Sequence, residues 1–155
     1  VPASAPAPDP ATPQTGREEE ILHASCVAVD GRGVLILGPS GSGKSALALQ
    51  LMSLGAVLVA DDRVRLWAEN GTLLAAAPET LRGLIEARGV GILRAETAGP
   101  VPVALAVDLA APEPKRLPPE RRFTCLDCEM PLLHNPGMGH FSAAILQYMK
   151  AGRDE

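Results

Sequence analysis

The stretch Val34-Leu35-Ile36-Leu37-Gly38-Pro39-Ser40-Gly41-Ser42-Gly43-Lys44-Ser45 constrains this chain more than any other. Its large apolar residues read as a buried strand, the glycines at 38, 41 and 43 interrupt that strand, and Lys44-Ser45 leads into an apolar pattern of helical period. The segment fits the phosphate-binding pattern G-x-x-x-x-G-K-[ST] at every position, in the strand, loop, helix setting that the pattern requires. Glycine permits backbone conformations that a Cβ forbids. The loop running Gly38, Pro39, Ser40, Gly41, Ser42, Gly43 can therefore curl its N–H groups around phosphate oxygens at the positive end of a helix. Lys44 adds a point charge on the outer phosphates and Ser45 offers a hydroxyl to Mg²⁺. A nucleotide phosphate site is expected here.

The strand entering this loop has a partner. Ile21 to Val29 is apolar, Asp30-Gly31-Arg32-Gly33 is a turn sequence, and Val34 opens a second run, so the two form a hairpin. Antiparallel pairing sets the start of the first strand beside the end of the second, which brings His23 within reach of the phosphate loop. After the loop, Ala46, Leu47, Leu49, Leu51, Met52 and Leu54 specify a helix buried over much of its circumference, with Gly55 to end it. Ala56 to Ala60 is a continuous β-rich run, as a strand covered on both faces should be. A strand, helix, parallel strand unit delivers the Asp61-Asp62 that follows to the same sheet edge as the loop. Neighbouring residues on an extended chain point to opposite sides, so one carboxylate should face a transferred phosphoryl and the other should fix the loop or a cation.

The remaining chain reads more coarsely. Val64 to Ala68 and Thr72 to Ala76 flank Asn70-Gly71 as a second hairpin, in which Trp67 is a packing residue. The glycines of Leu81 to Leu93 suggest a bent segment near the site, with Glu86 free to reach a cation. Val101 to Leu109 is a strand, Ala110 to Glu120 an exposed loop rich in proline and charge, and Phe141 to Met149 a helix with Ala144, Ile145, Tyr148 and Met149 on its buried side.

Composition narrows the function classes. Net charge is −4 over 155 residues, and residues 1–20 carry four acids and one base, which leaves the body close to neutral. General nucleic-acid binding, which rests on a strong basic field, is excluded on that ground. Lys115, Arg116, Arg121 and Arg122 are the local exception: a solvated face, or a patch that meets an acidic protein or a phosphate. No apolar run reaches the ~20 residues of a membrane span, and the chain reads as cytoplasmic, with no membrane partner. Residues 1–16 hold five prolines and no large apolar side chain after Val1, so residues 1–20 are expected as a disordered tail before one folded domain at 21–155. Of three cysteines, Cys26 reads as core. Cys125 and Cys128, with His134 and His140, only superficially resemble a zinc site.

Four features in combination resemble one family. They are His23, twenty-one residues before Lys44; GPSGSGKS from Gly38 to Ser45; LVADD from Leu58 to Asp62; and LIEARGVGIL from Leu84 to Leu93. Together they resemble the catalytic domain of HPr kinase/phosphorylase, the bacterial enzyme that phosphorylates a serine of the phosphocarrier protein HPr. The resemblance runs from about Ile21 to Arg116. It implies an α/β P-loop kinase domain with a mixed sheet: an antiparallel hairpin leading into the P-loop, then a helix and a parallel strand. It also implies ATP held by Lys44 and the loop, Mg²⁺ on Ser45 and Glu86, Asp62 as general base, His23 nearby, Arg116 as the late catalytic arginine, HPr as acceptor, and a hexamer. The family's larger members carry an N-terminal domain, whereas a proline-rich tail stands here, as in its short forms. Where the family has a Pro-Gly-Arg-type segment associated with the reverse, phosphate-consuming reaction, this chain reads Pro136-Gly137-Met138-Gly139, so the forward kinase reaction is the expected one. Two other readings fit the same residues: a kinase for another protein or a small molecule, and a nucleotide-binding sensor without transfer.

Overall fold

In the computed structural model, which describes residues 18–154, the apolar run from Ile21 to Val29 is two strands rather than one. β1 (Glu19–Leu22) and β2 (Ser25–Val29) are separated by His23-Ala24. The break frees β1 to pair elsewhere and leaves His23 off the ladder. Strand structure thus begins at Glu19, inside the stretch expected as tail; residues 1–17 of that expectation lie outside the described residues.

β2 forms the expected hairpin with β3 (Arg32–Leu37), across Asp30 and Gly31 at φ 51° and 76°, the signs a tight two-residue turn demands. The phosphate loop then leads into α1 (Lys44–Ser53) and on to β4 (Val57–Ala60). The buried stripe of α1 is Lys44, Leu47, Ala48 and Leu51, spaced as one helix face; it is narrower than expected, because Ala46 and Leu54 are exposed. β4 runs in the same direction as β3 without touching it. β2 lies between them, antiparallel to both.

The parallel neighbour of β3 is a distant strand. β5 (Val64–Glu69) and β6 (Thr72–Ala76) form the Asn-Gly hairpin, and β9 (Val101–Pro112) pairs with β3 in parallel. β10 (Arg122–Cys125) and β11 (Cys128–Asn135) form a further hairpin, whose second strand runs parallel to β9. The sheet order is β1-β5-β6-β9-β3-β2-β4, with β11 also on β9. The bend expected over Leu81 to Leu93 is a hairpin turn. The segment contains most of a separate two-stranded hairpin, β7 (Leu84–Ala87) and β8 (Gly91–Arg94).

Strands at the sheet centre are buried on both faces, and their alternation sorts side chains into two cores. Val27, Val29, Val34, Ile36, Leu105 and Val107 meet Leu47 and Leu51 of α1 and Ile145 and Met149 of the closing helix α2 (Phe141–Ala151). Cys26, Ala28, Leu35 and Ala106 meet residues of β5, β6, β10 and β11 on the other side. Ala144 departs from expectation: it is exposed, and Phe141 and Leu146 pack in its place beside Tyr148. Cys125-Leu126-Asp127-Cys128 is a hairpin corner, with Leu126 and Asp127 both at positive φ. Burial pushes the Cys26 thiol up to about 12, and burial together with Glu20 does the same to Cys125. No helix among the described residues is long and apolar enough to cross a membrane.

Leu105 is fully buried between β3 and the helices, so Leu105→Ala should destabilise the protein by about 2–5 kcal/mol in urea denaturation. Ala144→Ser on the exposed face should stay within about 0.5 kcal/mol of the parent in the same measurement.

Candidate active site

β3, β4 and β9 all point their carboxyl ends to one edge of the sheet, and the loops leaving that edge build a cleft of about 480 Å³. Ser40, Gly41, Gly43, Lys44 and Ser45 line one side; His23, Ser25, Asp62, Glu86 and Arg88 line the other. Gly38, Pro39 and Ser42 of the same loop are not among the lining residues. A Cβ on Gly38 would lie 2.4 Å from Ser42 Oγ, so this position excludes every other residue while the loop keeps its course.

The loop's free valences point to an anion. Gly43, at φ 97°, precedes α1 without a side-chain cap, and the first turn holds no acid, so the opening N–H groups have no protein carboxylate to meet. Lys44 is buried, and its ammonium donates to the Gly38 carbonyl at 2.7 Å and the Pro39 carbonyl at 3.0 Å. No carboxylate among the described residues pairs with it. A buried cation with two neutral acceptors and no counter-ion is half of an ion pair, and an anion such as a phosphate fits the other half.

The two aspartates divide as their alternation predicts. Asp61 is buried. Its Oδ1 accepts from Ser25 Oγ and Ser45 Oγ, each at 2.7 Å, and its Oδ2 accepts from the Glu86 backbone N–H at 3.1 Å. Asp62 takes the left-handed conformation, φ 71°, and turns outward. Its Oδ1 lies 2.8 Å from His23 Nε2, and both side chains are about half exposed. Asp62 and His23 therefore face the cleft together while Asp61 fastens the floor beneath them.

The donor set fits Mg²⁺. Ser45 spends its proton on Asp61, which leaves the oxygen's lone pairs toward the cleft, and among the described residues the Glu86 carboxylate has no hydrogen-bond or ion-pair partner. Two hard oxygens beside a phosphate site are what a magnesium ion takes from protein, since it keeps several waters and phosphate oxygens besides.

Sequence reasoning missed Ser25 and Arg88 here. Ser25 stands in an apolar run with no local signal; its role exists only through Asp61. Arg88 lies in the turn after β7, where no strand alternation marks its direction. Arg116 is placed differently: it lies on the exposed loop after β9, at the same sheet edge, and is not among the residues lining the cleft. That loop is closed at its base by a two-fold contact of Arg121 with Glu113, 3.1 and 3.2 Å, which holds the Glu113 carboxyl below its usual range. Arg122 pairs with Glu120 at 3.3 Å. Of the four clustered bases, the side chains of Lys115 and Arg116 are left without a carboxylate partner among the described residues, although the Lys115 backbone N–H donates to Glu113. Trp67 is buried on β5 beneath the Arg65 guanidinium, away from the cleft.

Comparison with known proteins identifies the family. The family model for the HPr Serine kinase C-terminal domain matches residues 15–99, more than half of the chain. The chain belongs to that family. The match takes in His23, the phosphate loop, Asp61, Asp62 and Glu86, and ends before Arg116. HPr kinase/phosphorylase of Geobacillus thermodenitrificans is 40% identical over 128 residues, covering 74% of this chain and 41% of the relative. The enzyme of the same name from Limosilactobacillus reuteri is 48% identical over 77 residues, covering 49% of this chain and 24% of the relative. The chain therefore spans about a quarter to two fifths of the length of these relatives. The solved structure of the HPr(Ser) kinase/phosphatase from Coxiella burnetii superposes with a TM-score of 0.72 at 26% identity, over 84% of this chain and 94% of that one. The mixed α/β fold of the family is thus present.

Asp61→Ala would strand two hydroxyls and a backbone N–H that now share one carboxylate. It should cost roughly 2–4 kcal/mol of stability in urea denaturation. Gly38→Ala should instead leave the fold standing and abolish binding of a fluorescent ATP analogue, read by titration, because the clash is confined to the loop.

Proposed function

We propose that this chain is an ATP-dependent kinase domain that transfers the γ-phosphoryl group to a serine of HPr. The observation that carries the proposal is the outward-facing Asp62 carboxylate beside His23, across one cleft from a phosphate loop whose buried lysine lacks a counter-ion. Family membership supports the acceptor, through relatives that are named for HPr.

The residues divide the work by chemistry. Loop N–H groups and Lys44 hold the β- and γ-phosphates and offset the charge that gathers as the bond to the leaving oxygen lengthens. Ser45 and Glu86 would hold Mg²⁺, which when bound shields the phosphate oxygens. Asp62 accepts the proton of the serine hydroxyl as its oxygen bonds to phosphorus; the bond from phosphorus to the ADP oxygen breaks, and ADP leaves with that electron pair. His23, with Nε2 donating to Asp62 Oδ1, fixes the carboxylate's direction. The side chains of Arg116 and Lys115, unpaired with any described carboxylate at the same edge, are the cations available to the acceptor side of the reaction. The proposal covers the forward direction, since Met138 stands where the reverse reaction would call for an arginine.

Incubation with labelled ATP, Mg²⁺ and HPr should label HPr, and HPr with alanine at its target serine should stay unlabelled. Lys44→Ala and Asp62→Asn should each lower the transfer rate by about a hundredfold or more, the usual scale for a lost charge stabiliser or base. ATP should still bind Asp62→Asn with near-parental affinity. Absence of label with the parent protein, or full label with Lys44→Ala, would refute the proposal.

A further inference from the structure

A second hollow opens on the far side of the His23–Asp62 pair. It is shallow, about 460 Å³, and is lined by Ile21, His23, Asp62 and Arg63; with the nucleotide cleft it shares His23 and Asp62 alone. The pair is therefore the partition between two spaces. We infer that this depression seats the serine-bearing segment of the acceptor protein and that Ile21 and Arg63 select it. The inference rests on the kinase reading above.

Three observations carry it. In-line displacement places the attacking oxygen and the ADP oxygen on opposite sides of phosphorus. Since the loop side belongs to ADP, the hydroxyl enters from the side of Asp62 remote from the loop, and that is where the depression lies. Second, the base must reach both the incoming hydroxyl and the phosphoryl. Asp62 borders both spaces: Oδ1 meets His23, while Oδ2 lies 3.9 Å from Arg63 Nε, too far to tie either group down. Third, the rim has the chemistry of a recognition surface. Ile21 is 58% exposed on β1, and Arg63 is 66% exposed, its Nε approaching Asp62 Oδ2 only to 3.9 Å, beyond hydrogen-bond distance. One exposed apolar side chain and one exposed, loosely held cation flanking a base fit a peptide segment. It would present an apolar side chain next to its serine and hydrogen-bond acceptors to Arg63. A small alcohol would need neither, so the rim favours a protein acceptor.

The bond changes are those of the transfer itself. The serine oxygen bonds to phosphorus, the phosphorus bond to ADP breaks, and the serine proton passes to Asp62; Ile21 and Arg63 touch the acceptor and take no part in them.

Steady-state kinetics with HPr and ATP, in the parent, Ile21→Thr and Arg63→Gln, test the inference. Threonine keeps the β-branched shape of β1, and both positions are exposed, so folding should survive; an unchanged Kd for ATP verifies it in each variant. Each substitution should raise the KM for HPr about fivefold, the scale of one interface contact, and leave the KM for ATP unmoved. Calorimetric binding of HPr to the ADP-loaded protein should weaken in parallel. An unchanged KM for HPr in both variants, or an equal rise in the KM for ATP, would overturn the inference while a labelled parent keeps the kinase reading intact. No label on HPr with the parent would overturn both.

Discussion

One buried carboxylate joins the parts of this site. Asp61, at the end of β4, takes hydrogen bonds from Ser25 at the start of β2, Ser45 in the first turn of α1, and the Glu86 N–H of β7. None of these segments neighbours all the others in the ladder, and β7 belongs to a separate two-stranded sheet. A carboxylate removed from water is costly unless its lone pairs are filled. Here that requirement fixes where α1 begins, how deep the phosphate loop sits, and where the hairpin that carries Glu86 and Arg88 docks.

The sheet order explains why the chemistry gathers at one edge. β3, β9 and β4 point the same way although their connections differ; β3 ends in the phosphate loop and β4 in the aspartate pair, while β9 ends in the Glu113–Arg121 loop, which lies at that edge outside the cleft lining. β2 runs against them, so it begins at that edge and delivers His23 and Ser25 there. Placing an antiparallel strand between β3 and β4 is what brings four segments to one edge where a simple parallel unit would bring two.

The site was more legible in the residues than the fold was. The phosphate loop, the reach of His23 and the division between Asp61 and Asp62 follow from local rules: a spacing, a hairpin and the alternation of a strand. What those rules omit is the choice of partner. Val101 to Leu109 reads as a strand, yet nothing in it says that it pairs with β3 in parallel, or that β11 flanks it. The run from Ile21 to Val29 is apolar throughout and hides the break at His23-Ala24, because β1 belongs to β5 and the signal for that lies forty residues away. Ala144 failed for a different reason. Alanine fits either face of a helix, so its period carries little weight beside Phe141 and Leu146, which gain more by burial.

That break and the turn after β4 are one structural decision. Asp62 is a non-glycine residue in the left-handed region, which costs on the order of 1 kcal/mol, less for aspartate than for most residues. The cost is offset by two backbone bonds made at this turn: Arg63 N–H to the Asp61 carbonyl at 2.8 Å, and Ala24 N–H to the Asp62 carbonyl at 3.2 Å. The second bond belongs to the residue just after His23, so it fixes the His23 backbone at the height of Asp62. Had the chain continued extended past Asp61, strand alternation would still separate the two carboxylates, but it would not set His23 against the second. The reversal at Asp62 converts a pair of neighbours in sequence into a structural anchor and an oriented, solvent-facing carboxylate, and a candidate base needs the second as much as the first.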